Sequence, residues 1–257
     1  MTPTGGSDGR AMEAMSPEQY DAGWDTRWDD MKTYGPFSRH VRRLIRHAVR
    51  PLTFASVLDV GCGQGALLGE FRRAHPDAEL AGTDLSASAV RIAQERVPGA
   101  QVSVLDLTAG CLDRQFDLVI CSEVLEHIPD DLAALRNLRN MTRGHLVVTT
   151  PQGRMRSFEA GEVGHVRNYA PGELQAKMRE TGFDVVKVIE WGFPLYSPLY
   201  RDYLALTSGR GTTGAFGPVR KRIAAAVYYL FMLNSWRRGD ELVVLARPAR
   251  QDDGVGA

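Results

Sequence analysis

The sequence has few cysteines, few lysines and no long apolar run. Cys62, Cys111 and Cys121 are widely spaced and form no C-x-x-C pair, so neither a disulfide framework nor a zinc knuckle is expected. The longest apolar stretch, residues 223–234, is too short to cross a bilayer. Only four of the 31 basic residues are lysines, a bias that we attribute to the base composition of the gene. We expect a cytoplasmic protein without a transmembrane segment.

The sequence also has no excess of charge of either sign. The 257 residues contain 31 basic and 31 acidic side chains, so the formal net charge is zero. A protein that follows a phosphate backbone usually has an excess of basic residues. Nucleic acid is therefore not expected as a partner, although the arginine-rich stretch 37–50 is one feature in its favour.

Short apolar runs alternate with amphipathic stretches from residue 55 onward. The runs are typical of buried parallel strands, being rich in Val, Ile and Leu. They cover residues 55–60, 79–84, 100–106, 116–121 and 145–150, and helices are predicted between them at 65–75, 86–97 and 130–141. A helix at 171–182 and strands at 184–191 and 241–247 follow. This alternation predicts a doubly wound α/β sheet.

Additions flank this pattern within what we interpret as a single domain, residues 15–250. Residues 15–50 predict an N-terminal helical cap, which either packs on the main body or forms a lid over a pocket. Residues 192–239 predict a helical insertion before the last strand, and its many aromatic residues suit a cover over the substrate. The ends, 1–14 and 251–257, are expected to be disordered.

The stretch VLDVGCGQG, residues 57–65, predicts a strand that enters a glycine-rich turn and then a helix. Glycines let the backbone approach a ligand closely, and a helix start offers free N–H groups. The spacing is G-x-G-x-G and not the dinucleotide pattern G-x-G-x-x-G, so a pyrophosphate ligand is less favoured. The carboxylate of Asp59, just before the glycines, suits a cationic ligand group such as an ammonium.

Two further acids, Asp84 and Asp106, close the second and third predicted strands. Asp84 is placed to accept hydrogen bonds from both ribose hydroxyls of a nucleoside, and Asp106 to accept one from an adenine amino group. Either acid alone is equally consistent with a helix cap. Three acids at successive strand ends favour a nucleoside-containing ligand.

The motifs VLDVGCGQG, GTDLS, VLDL, FDLVICSEVLEHIPD and HLVVTTP together resemble those of class I S-adenosylmethionine-dependent methyltransferases. The resemblance covers residues 55 to 182 and implies a seven-stranded, Rossmann-like sheet whose last strand is antiparallel. It implies S-adenosylmethionine as cofactor, with Asp59 and the glycines at its methionine part, Asp84 at the ribose, and Asp106 with Leu107 at the adenine. The implied cofactor residues are Asp59, Gly61, Cys62, Gly63, Gly65, Asp84, Leu85, Asp106, Leu107 and Ser122.

The stretch SEVLEHIPD, residues 122–130, places Glu123, Glu126 and His127 at the end of a predicted strand. On a first helical turn the two carboxylates would share one side. His165, in a later loop at the same sheet edge, would complete a set of two carboxylates and two imidazoles, which suits a divalent cation. This set is similar to the metal site of ubiquinone-pathway catechol O-methyltransferases and of small-RNA 3′-end methyltransferases.

Three interpretations of this stretch remain open. A cation, whether Mg, Mn, Fe or Zn, would be held by Glu123, Glu126, His127 and His165 and would orient an acceptor oxygen. Alternatively, His127 or His165 serves as a general base without metal, with Glu126 in the catalytic group. In the third interpretation the acids cap the next helix and the histidine orders the loop.

The sequence thus predicts methylation of an oxygen on a small secondary metabolite. A metal-free N- or C-methyltransferase and a non-catalytic cofactor-binding partner subunit are the alternatives. The apolar stretch 218–236, with basic residues on both sides, is consistent with a lipid-linked substrate or with a homodimer.

Overall fold

A computed structural model describes residues 21–24, 27–210 and 212–250. The predicted disordered ends, 1–14 and 251–257, lie outside these residues. The described chain forms one seven-stranded sheet in the order β3-β2-β1-β4-β5-β7-β6. The strands are β1 Ser56–Val60, β2 Glu79–Asp84, β3 Gln101–Val104, β4 Phe116–Ser122, β5 Thr142–Pro151, β6 Phe183–Trp191 and β7 Glu241–Pro248.

The first five strands pair in parallel, and β7 pairs antiparallel with both β5 and β6. The predicted doubly wound sheet with an antiparallel last strand is confirmed. Because β7 runs in the opposite direction, its first residue lies at the edge where the parallel strands end. Glu241 is accordingly in register with Pro151, the last residue of β5.

The helices that the structure describes are α1 Asp29–Tyr34, α2 Pro36–Val49, α3 Ala66–Ala74, α4 Ala87–Arg96, α5 Asp131–Met141, α6 Glu173–Glu180, α7 Arg201–Leu206 and α8 Pro218–Leu230. Short 3-10 turns cover Leu125–His127 and Phe231–Leu233, and π-helical turns cover Glu159–Val163 and Leu195–Tyr200. The predicted helical insertion between β6 and β7 consists of the second π-helical turn, α7, α8 and the second 3-10 turn.

Successive residues of each central strand face opposite sides of the sheet, so the core has two halves. Val57 of β1 packs with residues of α2, α3 and α4, whereas its neighbour Leu58 packs with residues of α5 and α6. This alternation follows from the two-residue period of a strand. Helices on both faces bury the sheet and leave its carboxyl edge for a ligand.

The N-terminal segment differs from a single regular helix. Residues 21–24 are helical, Arg27 and Trp28 form a turn and a bend, and α1 begins at Asp29. Three polar contacts hold the segment in place. Asp21 accepts from Ser86 Oγ at 2.5 Å, Thr33 accepts from Gln64 Nε2 at 3.2 Å, and the Asp29 carboxylate pairs with Arg96.

In the described part of the chain, every helix is too short or too polar to span a membrane.

Candidate active site

A cavity opens at the carboxyl edge of the sheet, where the glycine turn, the SEVLEHIPD loop and the N-terminal segment meet. Its lining residues are Trp24, Trp28, Met31, Lys32, Phe37, Ser38, Val41, Arg42, Asp59, Gly61, Cys62, Gly63, Gln64, Ala66, Leu67, Ser122, Glu123, His127 and Val163. The cavity thus joins the predicted cofactor residues to the predicted catalytic loop. Among the described residues that line it, none comes from the insertion at 192–239, whose covering role stays a prediction.

The glycine turn begins directly after β1 and continues into α3. Gly61 and Gly63 have φ angles of +74° and +53°, a region that side chains rarely adopt. A Cβ on Gly61 would lie 2.3 Å from the Val124 side chain, and one on Gly63 would lie 2.3 Å from Trp24. The sequence needs glycine here because the turn is left-handed and closely packed.

Asp59 is the fourth residue of β1 and is buried at the floor of the cavity. Burial raises the pKa of Asp59 to about 8, and the negative charge of Asp84 raises it further, whereas the positive charge of Lys32 opposes the shift. A carboxyl with this pKa gains most from a cationic partner, such as the ammonium of an amino acid.

Asp84 ends β2, is buried, and connects the glycine turn to α4. Its carboxylate accepts from Gly63 N at 2.8 Å and from Ser86 N at 3.0 Å. Leu85, the next residue, is partly exposed. Asp84 is therefore already fixed at the turn where a nucleoside ribose would approach.

The prediction that Asp106 closes the third strand was wrong. The strand β3 ends at Val104, and Asp106 lies in the following turn. Its exposed carboxylate accepts from Thr108 N at 2.8 Å and from Thr108 Oγ1 at 2.6 Å, because a turn without a continuing strand must satisfy its N–H groups locally. Leu107 beside it is buried. Contact of either residue with an adenine stays a prediction.

The N-terminal segment covers the cavity next to the glycine turn. Trp24 and Trp28 are buried and pack edge to face with a centroid separation of 5.5 Å. Trp24 lies against the glycine turn at Gly63, and Lys32 also lines the cavity. The N-terminal residues therefore occupy space next to the atoms predicted to bind the cofactor.

The structure corrects the predicted geometry of SEVLEHIPD. Glu123 follows β4 with φ +56°, outside any helix, while Glu126 lies in the 3-10 turn Leu125–His127. The two carboxylates therefore do not share the first turn of a helix. The two glutamates do not cap the next helix as the third interpretation predicted, because Asp130 caps α5 by accepting from Ala133 N at 3.0 Å.

Three of the four predicted metal ligands come together. Among the described residues, one ligand atom each of Glu126, His127 and His165 lie within 4.8 Å of one another. The group does not include Glu123, whose Oε1 accepts from Thr149 Oγ1 at 2.8 Å. Glu126 is fully buried. Its Oε2 accepts from Thr150 Oγ1 at 3.1 Å, and its Oε1 has no hydrogen-bond partner among the described residues.

The two imidazole rings are oriented by oxygen atoms, which can only accept hydrogen bonds from them. His127 Nδ1 lies 3.1 Å from the carbonyl oxygen of Gly164, and His165 Nδ1 lies 3.4 Å from Asn168 Oδ1. Each Nδ1 must therefore carry the proton, which leaves the lone pair on Nε2. The rings meet edge to face at 4.8 Å, and burial lowers the pKa of His127 to about 3 and that of His165 to about 4.

A chain of polar contacts fixes the loop that carries His165. The buried Arg201 of the insertion pairs with Glu159 at 2.6 Å, and Glu159 Oε2 accepts from Asn168 Nδ2 at 3.1 Å. Val166 N donates to the carbonyl oxygen of Glu126 at 2.9 Å. The insertion thus helps to hold the loop that carries His165 in place, through Arg201 and Glu159.

The sequence patterns do not single out Glu241, the first residue of β7. Glu241 is fully buried, and neither carboxylate oxygen has a partner among the described residues apart from the neighbouring carboxyl group of Glu123. Burial raises the pKa of Glu241 well above its usual range, and the nearby Glu123 raises it further. The two carboxyl groups therefore lie close together in a buried environment that disfavours a negative charge on both. The feature of the sequence that could have indicated Glu241 is its position directly before the apolar run LVVLA.

Residues 37–188 match a protein family described as methyltransferase domain. The chain belongs to this family. Together with the fold, the match establishes an S-adenosylmethionine-dependent methyltransferase.

Curated relatives support the same assignment. A ubiquinone biosynthesis O-methyltransferase of Nitrosospira multiformis is 29% identical over 202 residues, which cover 68% of this chain and 82% of the relative. A protein of the same name from Pseudomonas putida is 30% identical over 169 residues, covering 57% of this chain and 71% of the relative. Among solved structures, magnesium protoporphyrin IX methyltransferase from Synechocystis, with bound S-adenosylhomocysteine, has a TM-score of 0.60 at 15% identity, covering 91% of this chain and 98% of that chain. The last comparison shows the fold alone.

The raised pKa of Asp59 predicts how cofactor affinity of this methyltransferase depends on pH. In the predicted contact with Asp59, the ammonium of S-adenosylhomocysteine prefers the ionised carboxylate, so affinity should rise with pH up to about 8, on the order of tenfold between pH 6.5 and 8. The folded protein also holds the Asp59 proton more tightly than the unfolded chain does. The free energy of unfolding contributed by this group therefore falls as pH rises from about 4 to about 8.

Calorimetry with S-adenosylhomocysteine across this pH range, on the wild type and Asp59→Asn, measures the effect. The variant should bind weakly with little pH dependence, and without cofactor it should melt at a higher temperature than the wild type at pH 8. The exposed Asp113→Asn serves as the control. An equally steep pH dependence in Asp59→Asn would contradict the assignment of the titrating group.

Proposed function

We propose that the methyltransferase transfers the methyl group to an oxygen of a small-molecule acceptor, with a divalent cation held by Glu126, His127 and His165. The observation that carries this proposal is the orientation of the three side chains. Both histidines have Nδ1 committed to an acceptor, while Glu126 Oε1 is buried without a partner among the described residues. Neutral imidazoles with free Nε2 lone pairs and an unsatisfied carboxylate oxygen are the donor set that such cations take.

The alternative of a histidine base without metal is less well supported. A general base works best when its pKa lies near the working pH. Burial, and for His127 also the neighbouring His165, holds the pKa values of the two rings at about 3 and about 4. Imidazole rings with such low pKa values are poor bases for a hydroxyl group, but they remain good metal ligands because they stay neutral.

The chemistry divides between the cofactor and the protein. When bound, the cofactor supplies an activated methyl group on a sulfonium, and the cation would lower the pKa of an acceptor hydroxyl. The residues of the chain hold both partners in line. Asp59 and Asp84 position the cofactor, Ser122 lines the same cavity, and Glu126, His127 and His165 fix the acceptor oxygen.

Glu123 and Glu241 add a second group of carboxyls behind these ligands. Burial raises the pKa of both Glu123 and Glu241, and a nearby cation would favour the ionised form of either carboxyl group. Glu123 lines the cavity and is the member of the pair that faces the acceptor. This arrangement keeps Glu123 in the proposed site without requiring it to be one of the three grouped ligands.

The N-terminal segment acts as a cap in this proposal. Trp24, Trp28 and Lys32 line the cavity, and Trp24 lies against the glycine turn. A cofactor that contacts Gly63 would therefore meet this segment, which would both admit the ligand by moving and exclude water after closing. The aromatic insertion, through Arg201 and Glu159, supports the loop of His165. A secondary metabolite with two adjacent oxygens is the acceptor that suits the proposed cation.

Calorimetry on chelator-treated protein saturated with S-adenosylhomocysteine tests the proposal without any acceptor. Titration with Mg²⁺, Mn²⁺, Fe²⁺ and Zn²⁺ should show one-to-one binding for at least one ion. Burial raises the pKa of Glu126 well above its usual range, so cation binding should release a proton, and the apparent enthalpy should change with the ionisation enthalpy of the buffer.

His165→Ala should lose this binding, whereas His145→Ala, on the far part of β5, should retain it. Binding that persists in His165→Ala would show that the ion is held elsewhere. If no ion binds, metal-dependent transfer is excluded and a metal-free N- or C-methyltransferase becomes the better description.

A further inference from the structure

The insertion exposes an apolar stripe along one side of α8. Val219, Ile223, Ala226 and Leu230 recur at spacings of four, three and four, and Leu233 continues the stripe into the 3-10 turn. The four large side chains of this stripe are between 49% and 73% exposed. Residues with this spacing lie on one face of a helix, and in a globular protein that face is normally buried.

The exposure is concentrated in the insertion. Among the residues that the structure describes, fourteen large hydrophobic side chains are exposed, and eight of them lie between residues 199 and 233. On α8 the only buried residue is Ala224, on a different side of the helix. Contiguous apolar exposure of this kind is typical of an interaction surface.

The charges around the stripe indicate what binds there. Residues 203–239 contain six basic side chains and no acid, namely Arg210, Arg220, Lys221, Arg222, Arg237 and Arg238. The two acids that flank this segment are already paired, Asp202 with Arg156 and Asp240 with Arg201. The net charge of the whole chain is zero, so this excess is local.

The helix α2, which packs beside α8, adds further basic side chains. Arg39 of α2 lies over the Tyr228 ring at 3.8 Å, and Arg43 lies over the Trp236 ring at 4.8 Å. Residues 31–58, which include α2, also contain no acid. An apolar stripe bordered by basic residues from two neighbouring elements is the arrangement of a helix that lies in the interface of an anionic bilayer.

We infer that the exposed face of α8 docks on the surface of an anionic lipid bilayer, with Ile223 and Leu230 in the acyl boundary and Arg222 and Arg237 at the headgroups. A second copy of the chain fits this face less well. Two-fold pairing of α8 through the stripe would bring basic residues of both copies together, and residues 203–239 offer no acid to neutralise them. Anionic headgroups supply that missing charge.

Co-sedimentation of the full chain with lipid vesicles tests the inference. Binding is expected to phosphatidylcholine vesicles that contain phosphatidylglycerol, to be weak with pure phosphatidylcholine, and to decrease with added salt. Ile223→Asp combined with Leu230→Asp should lower the partition coefficient about tenfold or more. Arg222→Glu combined with Arg237→Glu should do so through the charge alone.

Matched controls lie elsewhere on the surface. Val186→Asp changes an exposed apolar residue of β6, and Arg73→Glu reverses an exposed arginine of α3, so both should bind vesicles as the wild type does. Circular dichroism and retained S-adenosylhomocysteine binding verify that each variant is folded. Sedimentation velocity without lipid reports the oligomeric state.

Three results would overturn the inference. They are absence of binding to anionic vesicles, equal binding to both vesicle types, and a lipid-free dimer that dissociates in the Ile223→Asp and Leu230→Asp variant. The last result would assign the stripe to a second copy of the chain. None of these measurements depends on the proposed cation or acceptor, so the two proposals fail or succeed separately.

Discussion

Replacing Glu126 with alanine should reduce methyl transfer by about 10²–10³-fold or more while leaving S-adenosylhomocysteine affinity within about twofold. The side chain is fully buried, and one of its oxygens has no partner among the described residues. Glu126 is not among the cavity residues around the glycine turn, so its loss should spare the cofactor. The rate is measured as S-adenosylhomocysteine release with a catechol acceptor, and the affinity by calorimetry.

Glu126→Gln separates the loss of a ligand from damage to the fold. Glutamine matches the shape of glutamate, and burial raises the pKa of Glu126 and so favours its neutral form, which glutamine resembles. This variant should fold as the wild type does, yet show no increase in melting temperature when the cation is added. Glu180→Ala, at the exposed end of α6, is the control. Wild-type transfer by Glu126→Ala would exclude Glu126 from the reaction.

Replacing Asp84 with alanine should weaken S-adenosylhomocysteine binding by about 100-fold or more. A buried carboxylate that accepts two hydrogen bonds from a ribose contributes on the order of 3 kcal/mol, since bonds to charged groups are the strong ones. Asp84 also accepts from Gly63 N, so its removal frees the glycine turn on which the cofactor would rest. Calorimetry or equilibrium dialysis measures the loss.

Two variants make this result specific. Asp84→Asn keeps one acceptor oxygen and should show an intermediate affinity, whereas Asp77→Ala, in the exposed turn before β2, should bind normally. The melting temperature of Asp84→Ala without cofactor should remain close to that of the wild type, because the cost of burying the charged form offsets the two lost hydrogen bonds. Unchanged affinity in Asp84→Ala would rule out the ribose assignment.

Much of the fold was predictable because it depends on local patterns. Alternating apolar runs and amphipathic stretches specified the strands and helices, and the left-handed conformation at Gly61 and Gly63 requires the glycines that the motif contains. The end of β3 was predicted two residues too late, at Asp106. Pairing with β2 stops at Val104, and the length of a strand depends on the neighbouring strand with which it pairs.

The site was predictable only in part. The predicted order of the strands placed His165 at the same sheet edge as His127. It could not show that Gly164 and Asn168 direct the lone pairs of both rings, because those contacts depend on the path of the loop. The spacing of Glu123 and Glu126 suggested a shared helical face, whereas the φ angle of +56° at Glu123 turns its side chain towards Thr149. The direction of the Glu123 side chain depends on which hydrogen-bond donor lies near it in the folded protein, here Thr149.

By itself the sequence determined the sheet, the glycine turn and the class of cofactor, since these depend on periodicity and on residues close in the chain. Only the tertiary structure decided which carboxylates meet, that Glu241 joins Glu123, and that Trp24 covers the turn. It also decided that the stripe on α8 faces outward, which the apolar composition of this helix would not suggest. Each of these depends on residues far apart in sequence, and their contacts are selected by the packing of the whole chain.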